Sequence, residues 1–171
     1  MRVRLGDVGD WPFMYALGKQ GITHSISPWR KQSLEETLDY RESILSGFWQ
    51  WIQESGSTVF IAETAVKDGK FALKARKVQA IGYLVLQTSS KEELTGVSQG
   101  WIVDFVVLPK LRGKGVGREL LKAAEEHCCK QGIPYLGLAV SSHNLRALHL
   151  YERFGFVEER KLMFKQVEKL E

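Results

Sequence analysis

Arg112-Gly113-Lys114-Gly115-Val116-Gly117 stands between an apolar run, Trp101 to Leu108, and a stretch from Val116 to Gln131 in which Leu120, Leu121, Ala124 and Cys128 recur at helical spacing. The run reads as a buried strand and the stretch as an amphipathic helix, which places the glycines at a strand-to-helix junction. Such a junction suits phosphate. The first helical amides have no intrahelical acceptor, the helix dipole adds partial positive charge, and glycine admits an anion where a Cβ would stand in the way. Arg112, Lys114 and Arg118 strengthen the field, and three alternating glycines with three cations exceed what a plain tight connection needs.

The kind of phosphate narrows by elimination. A P-loop sets Ser or Thr after Gly-Lys to hold magnesium, whereas Gly113-Lys114 is followed by Gly115. A dinucleotide fingerprint needs glycine at position 118, which is Arg118, and an acidic residue about twenty positions on, where Ile133 and Pro134 stand. Nucleoside triphosphates, nicotinamide and flavin cofactors are therefore disfavoured.

The segment resembles the GNAT N-acetyltransferase superfamily, whose pyrophosphate loop reads Arg/Gln-x-x-Gly-x-Gly/Ala. Val107-Leu108-Pro109 looks like the family's Val-x-Pro, and Asn144-Leu145-Arg146-Ala147-Leu148-His149-Leu150-Tyr151-Glu152-Arg153-Phe154-Gly155-Phe156 resembles its Asn-x-x-Ala-x-x-x-Tyr-x-x-x-Gly-Phe segment. The close resemblance covers Trp101 to Phe156, and the order of elements extends it over most of the chain. It implies an α/β (α+β) fold, with a mixed, mostly antiparallel central sheet splayed at its middle and flanked by about four helices. It also implies acetyl-coenzyme A as co-substrate, between the strand ending at Leu108 and the strand from Tyr135. The pyrophosphate would lie on Arg112, Gly113, Lys114, Gly115, Val116, Gly117 and Arg118. The pantetheine arm would pair with backbone groups of Phe105, Val106 and Val107, a pairing that reads no side chain, and would touch Asn144.

The same resemblance makes Tyr151 the candidate general acid. When an amine attacks a thioester the leaving thiolate must be protonated, and a phenol with a solution pKa of about 10 is a competent donor if held near the sulfur. The competing reading is a core aromatic beside Leu148 and Phe154. The base is open. Asp104 is the only carboxylate of its strand and is the candidate for contact with the amine, against a structural role paired with an Arg or Lys. Val103 stands where some polyamine-acetylating relatives carry glutamate, and Trp101 where others carry a basic glutamate; that departure leaves the base unassigned. Glu63 is a weaker second candidate. His24, in the loop before Trp29, would border the acceptor site, whereas His127, His143 and His149 read as surface or cap residues. No His, Cys or carboxylate cluster has metal spacing, so no metal is expected.

Outward from this region, Arg2 to Leu5 reads as a short strand, and Asp10 as the cap of a helix from Trp11 to about Gln20, with Pro12 in its first turn. Ser33-Leu34-Glu35-Glu36 has the form of a capping box opening a helix to about Glu54. Val59 to Ala62, Val78 to Leu86 and Trp101 to Leu108 follow as strands, with a turn at Lys67-Asp68-Gly69-Lys70 and a polar, mobile loop from Thr88 to Gly100. Beyond the glycine loop come a strand Tyr135 to Val140, a helix Asn144 to Arg153 and a final pair of strands from Phe156. Gly132 and Gly155 end the two helices.

With 171 residues, 44% of them hydrophobic, one folded unit over 1–171 is expected. No run approaches the roughly 18 apolar residues of a membrane span, and Met1-Arg2-Val3-Arg4-Leu5 lacks the apolar core of a signal segment. The two cysteines, Cys128 and Cys129, are adjacent and fit a reducing, cytoplasmic setting, with Cys128 packed on its helix. The net charge of +4 is dispersed, apart from clusters at Lys67 to Lys77, Lys110 to Arg118 and Arg160 to Lys165. No nucleic acid and no membrane is expected as partner, and a homodimer is left open. The expected activity is N-acetylation of an amine-bearing acceptor, a small molecule or a peptide N-terminus. The alternative is a non-catalytic coenzyme A-binding sensor or interaction module of the same fold.

Overall fold

A computed structural model describes residues 1–65 and 78–167, so the turn read at Lys67-Asp68-Gly69-Lys70 and the basic cluster Lys67 to Lys77 lie outside the described residues. Five strands form one sheet in chain order: β1 (Arg2–Leu5), β2 (Thr58–Ala65), β3 (Val78–Lys91), β4 (Ser98–Val107) and β5 (Tyr135–Leu138). Neighbours are antiparallel except β4 and β5, which run parallel. The middle strands are apolar on successive residues because both faces are covered. Phe60, Ala62, Leu84 and Leu86 pack with Leu120, Leu121 and Cys128 of α3 (Val116–Lys130). On the other face, Val59, Ile61, Tyr83 and Val85 pack with Met14 and Leu17 of α1 (Trp11–Gly21) and with Leu45, Phe48 and Ile52 of α2 (Leu34–Glu54). A fourth helix, α4 (Leu145–Phe154), adds Leu150, Tyr151 and Phe154 to the α3 side.

The capping box of α2 forms as read: Ser33 Oγ accepts from Glu36 N–H at 3.1 Å, and the Glu36 carboxylate accepts from Ser33 N–H at 2.9 Å. Asp10 does not cap α1. Its carboxylate accepts from the Arg4 guanidinium at 2.7 and 2.8 Å and from Asp7 N–H at 3.0 Å, while Asp7 caps a 3-10 turn, Val8–Asp10, that leads into the helix. The ion pair outcompetes the cap.

The stretch read as a mobile loop is mostly strand. β3 and β4 pair as far as Lys91 and Ser98. Glu92 closes the hairpin, its carboxylate accepting from Leu94 N–H at 3.1 Å and Thr95 N–H at 2.7 Å. The final pair of strands from Phe156 is absent among the described residues. Phe156 to Val167 is irregular, and its Glu158-Glu159-Arg160-Lys161 run offers no apolar alternation to a sheet.

One irregularity positions the site. Val85 pairs with Asp104 and Leu86 with Ile102, so Val103 is an extra residue, a bulge that switches the side on which successive residues point. Ile102 and Phe105 therefore both face the α3 core, while Asp104 and Val106 face α1 and α2. Pairing between β4 and β5 stops at Ile102 and Leu138, and the sheet parts there.

Candidate active site

A cleft of about 640 Å³ lies where the two strands separate. Its walls are β4 from Ile102 to Val107, the glycine loop, the chain after β5 from Leu138 to Ser141, and α4. Gly21 and Ser25 close one end. That end is tied down: Ser141 Oγ donates to Ser25 C=O at 2.8 Å, and Trp29 meets the His143 ring edge-on at 6.4 Å. The side chain of His24 is outside the described residues.

At the other end the loop takes the shape that glycine permits. Gly113 and Gly115 have φ of 80° and 85°, and Gly115 opens α3 with no side-chain cap. The first intrahelical bond runs from Glu119 N–H to Gly115 C=O, which leaves the amides before it directed out of the helix end. A Cβ on Gly117 would stand 3.1 Å from Leu150 and 3.2 Å from the Phe105 ring, so any side chain there would press on α4 and β4 where they meet α3.

Arg112, Gly113, Gly115, Gly117 and Arg118 line the cleft, as do Phe105, Val106, Val107 and Asn144. Lys114 and Val116 do not. Lys114 is exposed and Val116 is 3% exposed within the α3 core. Arg112 is fixed by its Nε, which donates to Val107 C=O at 3.1 Å. Burial, and then the charge of Arg146, lower its pKa. Sequence reasoning passed over Arg146, which lies over Gly113 with Nη2 3.4 Å from where a Cβ would be. The signal was present: a cation in the first turn of a helix opposes the dipole unless an anion shares the site. Two arginines facing one uncapped helix end fit a di-anion such as pyrophosphate.

Asn144 caps α4, accepting from Ala147 N–H at 3.3 Å, and borders the cleft as well. Two turns further along, Tyr151 lies between the rings of Phe105 and Phe156, with centroids at 6.3 and 5.6 Å. It lines the cleft, and burial followed by the nearby charge of Asp104 pushes its pKa up to about 12. The phenol is thus held protonated.

Asp104 reaches the same cleft from the opposite face of the sheet. Its Oδ2 accepts from Arg41 Nη2 at 2.6 Å and from the Tyr83 hydroxyl at 2.9 Å, and its Oδ1 accepts from Phe105 N–H at 3.0 Å. The arginine partner weighed from the sequence is Arg41, more than sixty residues away in the chain and invisible to local pattern. Glu63 does not line the cleft. It is 3% exposed and bound by Arg2 and Arg4 at the far edge of the sheet. Among the described residues no group of three or more His, Cys, Asp or Glu side chains could hold a metal ion.

The family model for the acetyltransferase (GNAT) family matches residues 23–156. The chain is 30% identical over 97 residues to an uncharacterized N-acetyltransferase, YycN, of Bacillus subtilis, covering 57% of this chain and 60% of that one. It is 34% identical over 61 residues to a spermine/spermidine N(1)-acetyltransferase of the same organism, covering 33% and 38%. The matched segments thus span less than two thirds of either relative. A structure of a putative acetyl transferase from Pyrococcus furiosus has the same fold, with a TM-score of 0.71, 21% identity and coverage of 97% of this chain and all of that one.

Proposed function

The chain belongs to the acetyltransferase (GNAT) family, and on that premise we propose that it transfers acetyl from acetyl-coenzyme A directly to a primary amine. The α-amine of a peptide or amino acid, or another amine of lowered pKa, is the favoured acceptor. The observation that carries the reading is the cleft at the parting of β4 and β5, with an anion cradle at one end and a protonated phenol on its wall.

When bound, acetyl-coenzyme A supplies the thioester carbon that the amine attacks and the thiolate that leaves. Arg112, Arg146 and the α3 amides hold its phosphates by charge-assisted hydrogen bonds. Beyond Ile102 the β5-facing edge of β4 has no strand opposite, so Phe105 to Val107 can pair with the amide groups of the pantetheine arm. A backbone amide near Val107 donates to the acyl oxygen as negative charge develops there. Tyr151 gives its hydroxyl proton to the departing sulfur and recovers one from solvent. The amine loses its own proton to water.

Acetyl-coenzyme A should raise the melting temperature through preferential binding to the folded state, and ATP should do so much less. Gly117→Val should abolish that shift. Coenzyme A release measured against peptide N-termini, amino acids, polyamines and aminoglycosides then tests turnover. Binding without release for any amine would replace catalysis by a sensor role.

A further inference from the structure

Asp104 is the one carboxylate among the described residues of the cleft wall, yet its charge is already answered from behind. Arg41 projects from α2, passes under α1 and places Nη2 2.6 Å from Asp104 Oδ2. The two side chains are 18% and 14% exposed, so solvent screens the pair only weakly. Tyr83, 1% exposed, donates to the same oxygen, and burial together with the Asp104 charge holds its phenol protonated well above the usual range. Gly18 of α1 gives the group room: a Cβ there would lie 2.6 Å from the Tyr83 hydroxyl and 3.6 Å from Arg41 Nη2.

A carboxylate beside an acceptor cleft ordinarily attracts ammonium groups, and an acceptor with a second ammonium gains most. Here an ammonium arriving from the cleft meets a carboxylate whose Oδ2 already accepts two hydrogen bonds and whose Oδ1 accepts one, and beside it a guanidinium that does not deprotonate. We infer that Arg41 is a positioning residue that sets acceptor choice: by cancelling the charge of Asp104 it turns the acceptor side against dicationic amines and toward acceptors with a single, neutral reacting nitrogen. This rests on the acetyltransferase reading above and names the feature of the chain that selects the acceptor class.

The test is the ratio of kcat/KM for 1,4-diaminobutane to that for butylamine, matched in chain length and in reacting nitrogen. It is measured in the parent, Arg41→Gln, Arg41→Lys, Asp104→Asn and the double variant Arg41→Gln/Asp104→Asn, each first shown to give the acetyl-coenzyme A thermal shift. The parent ratio should be near or below one. Arg41→Gln should raise it at least tenfold, mainly through a lower KM for the diamine, whereas Arg41→Lys keeps the charge and should stay near the parent. The gain should vanish in the double variant.

Asp104→Asn alone leaves the guanidinium unanswered and should lower the ratio, which decides the matter even where Arg41→Gln does not accumulate folded. A parent that prefers the diamine tenfold overturns the inference. So does an Arg41→Gln protein that loses activity toward both amines in equal proportion, the result of a purely structural role. A parent that binds acetyl-coenzyme A and acetylates no amine overturns the acetyltransferase reading itself.

Discussion

Tyr151 has two properties in tension, a ring packed like a core residue and a hydroxyl on the cleft wall. Tyr151→Phe separates them, because it keeps the ring and removes the proton. A general-acid role predicts a fall in kcat of about 10² to 10⁴ with little change in cofactor affinity. Unchanged kcat with a lower melting temperature would return the residue to the core. It was singled out in the sequence by the resemblance of Asn144 to Phe156 to the family's segment, and helical spacing then sets Asn144 and Tyr151 two turns apart on one face. The partners of Asp104 were not legible. Arg41 and Tyr83 sit on other elements, and no periodicity within Val103-Asp104-Phe105 encodes who stands behind a side chain. Glu63 shows the same limit from the other side: its strand could be read, but the direction of its carboxylate depended on Arg2 and Arg4 across the β1–β2 pair.

Elements depend on such contacts for their stability. β1 is short, and the cluster of Arg2, Arg4, Glu63 and Asp10 fastens it to β2 and to the turn before α1. The hydrogen bond from Arg4 is the main cause of the lowered pKa of Asp10; for Glu63 burial acts upward, but Arg2 and Arg4 outweigh it and the net shift is also downward. Carboxylates depressed in the folded state add stability above their unfolded values of about 3.9 and 4.3, and this is lost as pH falls through the folded values. Melting temperature should therefore drop below about pH 4. Arg4→Met should cost about 1 to 3 kcal/mol at pH 7 and flatten that acid limb; identical acid limbs would show that the cluster contributes nothing. Two glycines make a second contrast. A Cβ on Gly100 would lie 2.5 Å from Cys128 Sγ, where β4 meets α3, whereas one on Gly47 in α2 would meet nothing within 4 Å. Gly100→Ala should destabilise by about 1 to 3 kcal/mol through overpacking, and Gly47→Ala should stabilise by about 0.5 to 1 kcal/mol, both read from denaturant midpoints. Apolar patterning made the covered elements legible and missed the hairpin around Glu92, whose strands persist past the core on pairing alone.

At the scale of the molecule, the sheet separates two cores, and the cleft is where they communicate. The end proposed for the cofactor lies on the α3 and α4 side, whose motifs are contiguous in sequence, so a resemblance to a family could be read there. The other end is bordered by Gly21 of α1 and by Ser25, with Arg41 of α2 behind Asp104, distant segments with no motif, and the proposed acceptor chemistry there follows from the groups that end lacks as well as those it holds. Asp104 is engaged by Arg41 and Tyr83, and Glu63 faces elsewhere, so no free carboxylate on the described cleft wall is placed to strip a proton from a strongly basic amine. On the proposed activity, an amine acceptor would then have to arrive neutral. A lysine side-chain amine has a solution pKa of about 10.4 and an α-amine one of about 7.7 to 8.0, so near pH 7 the α-amine is neutral roughly two to four hundred times more often. At pH 7 an α-amine acceptor should therefore exceed a matched alkyl amine in kcat/KM by roughly that factor. Raising the pH should close the gap, since each amine gains as its own proton leaves. The acid does not limit this climb, because Tyr151 with a pKa of about 12 stays protonated throughout it. The alkyl-amine profile should rise through about pH 10 and turn down only as the phenol itself ionises. Profiles of kcat/KM against pH for the two acceptors, with Asp104→Asn beside the parent, decide the point. An alkyl-amine preference at pH 7 that disappears in Asp104→Asn would make Asp104 the base and overturn the choice of α-amines.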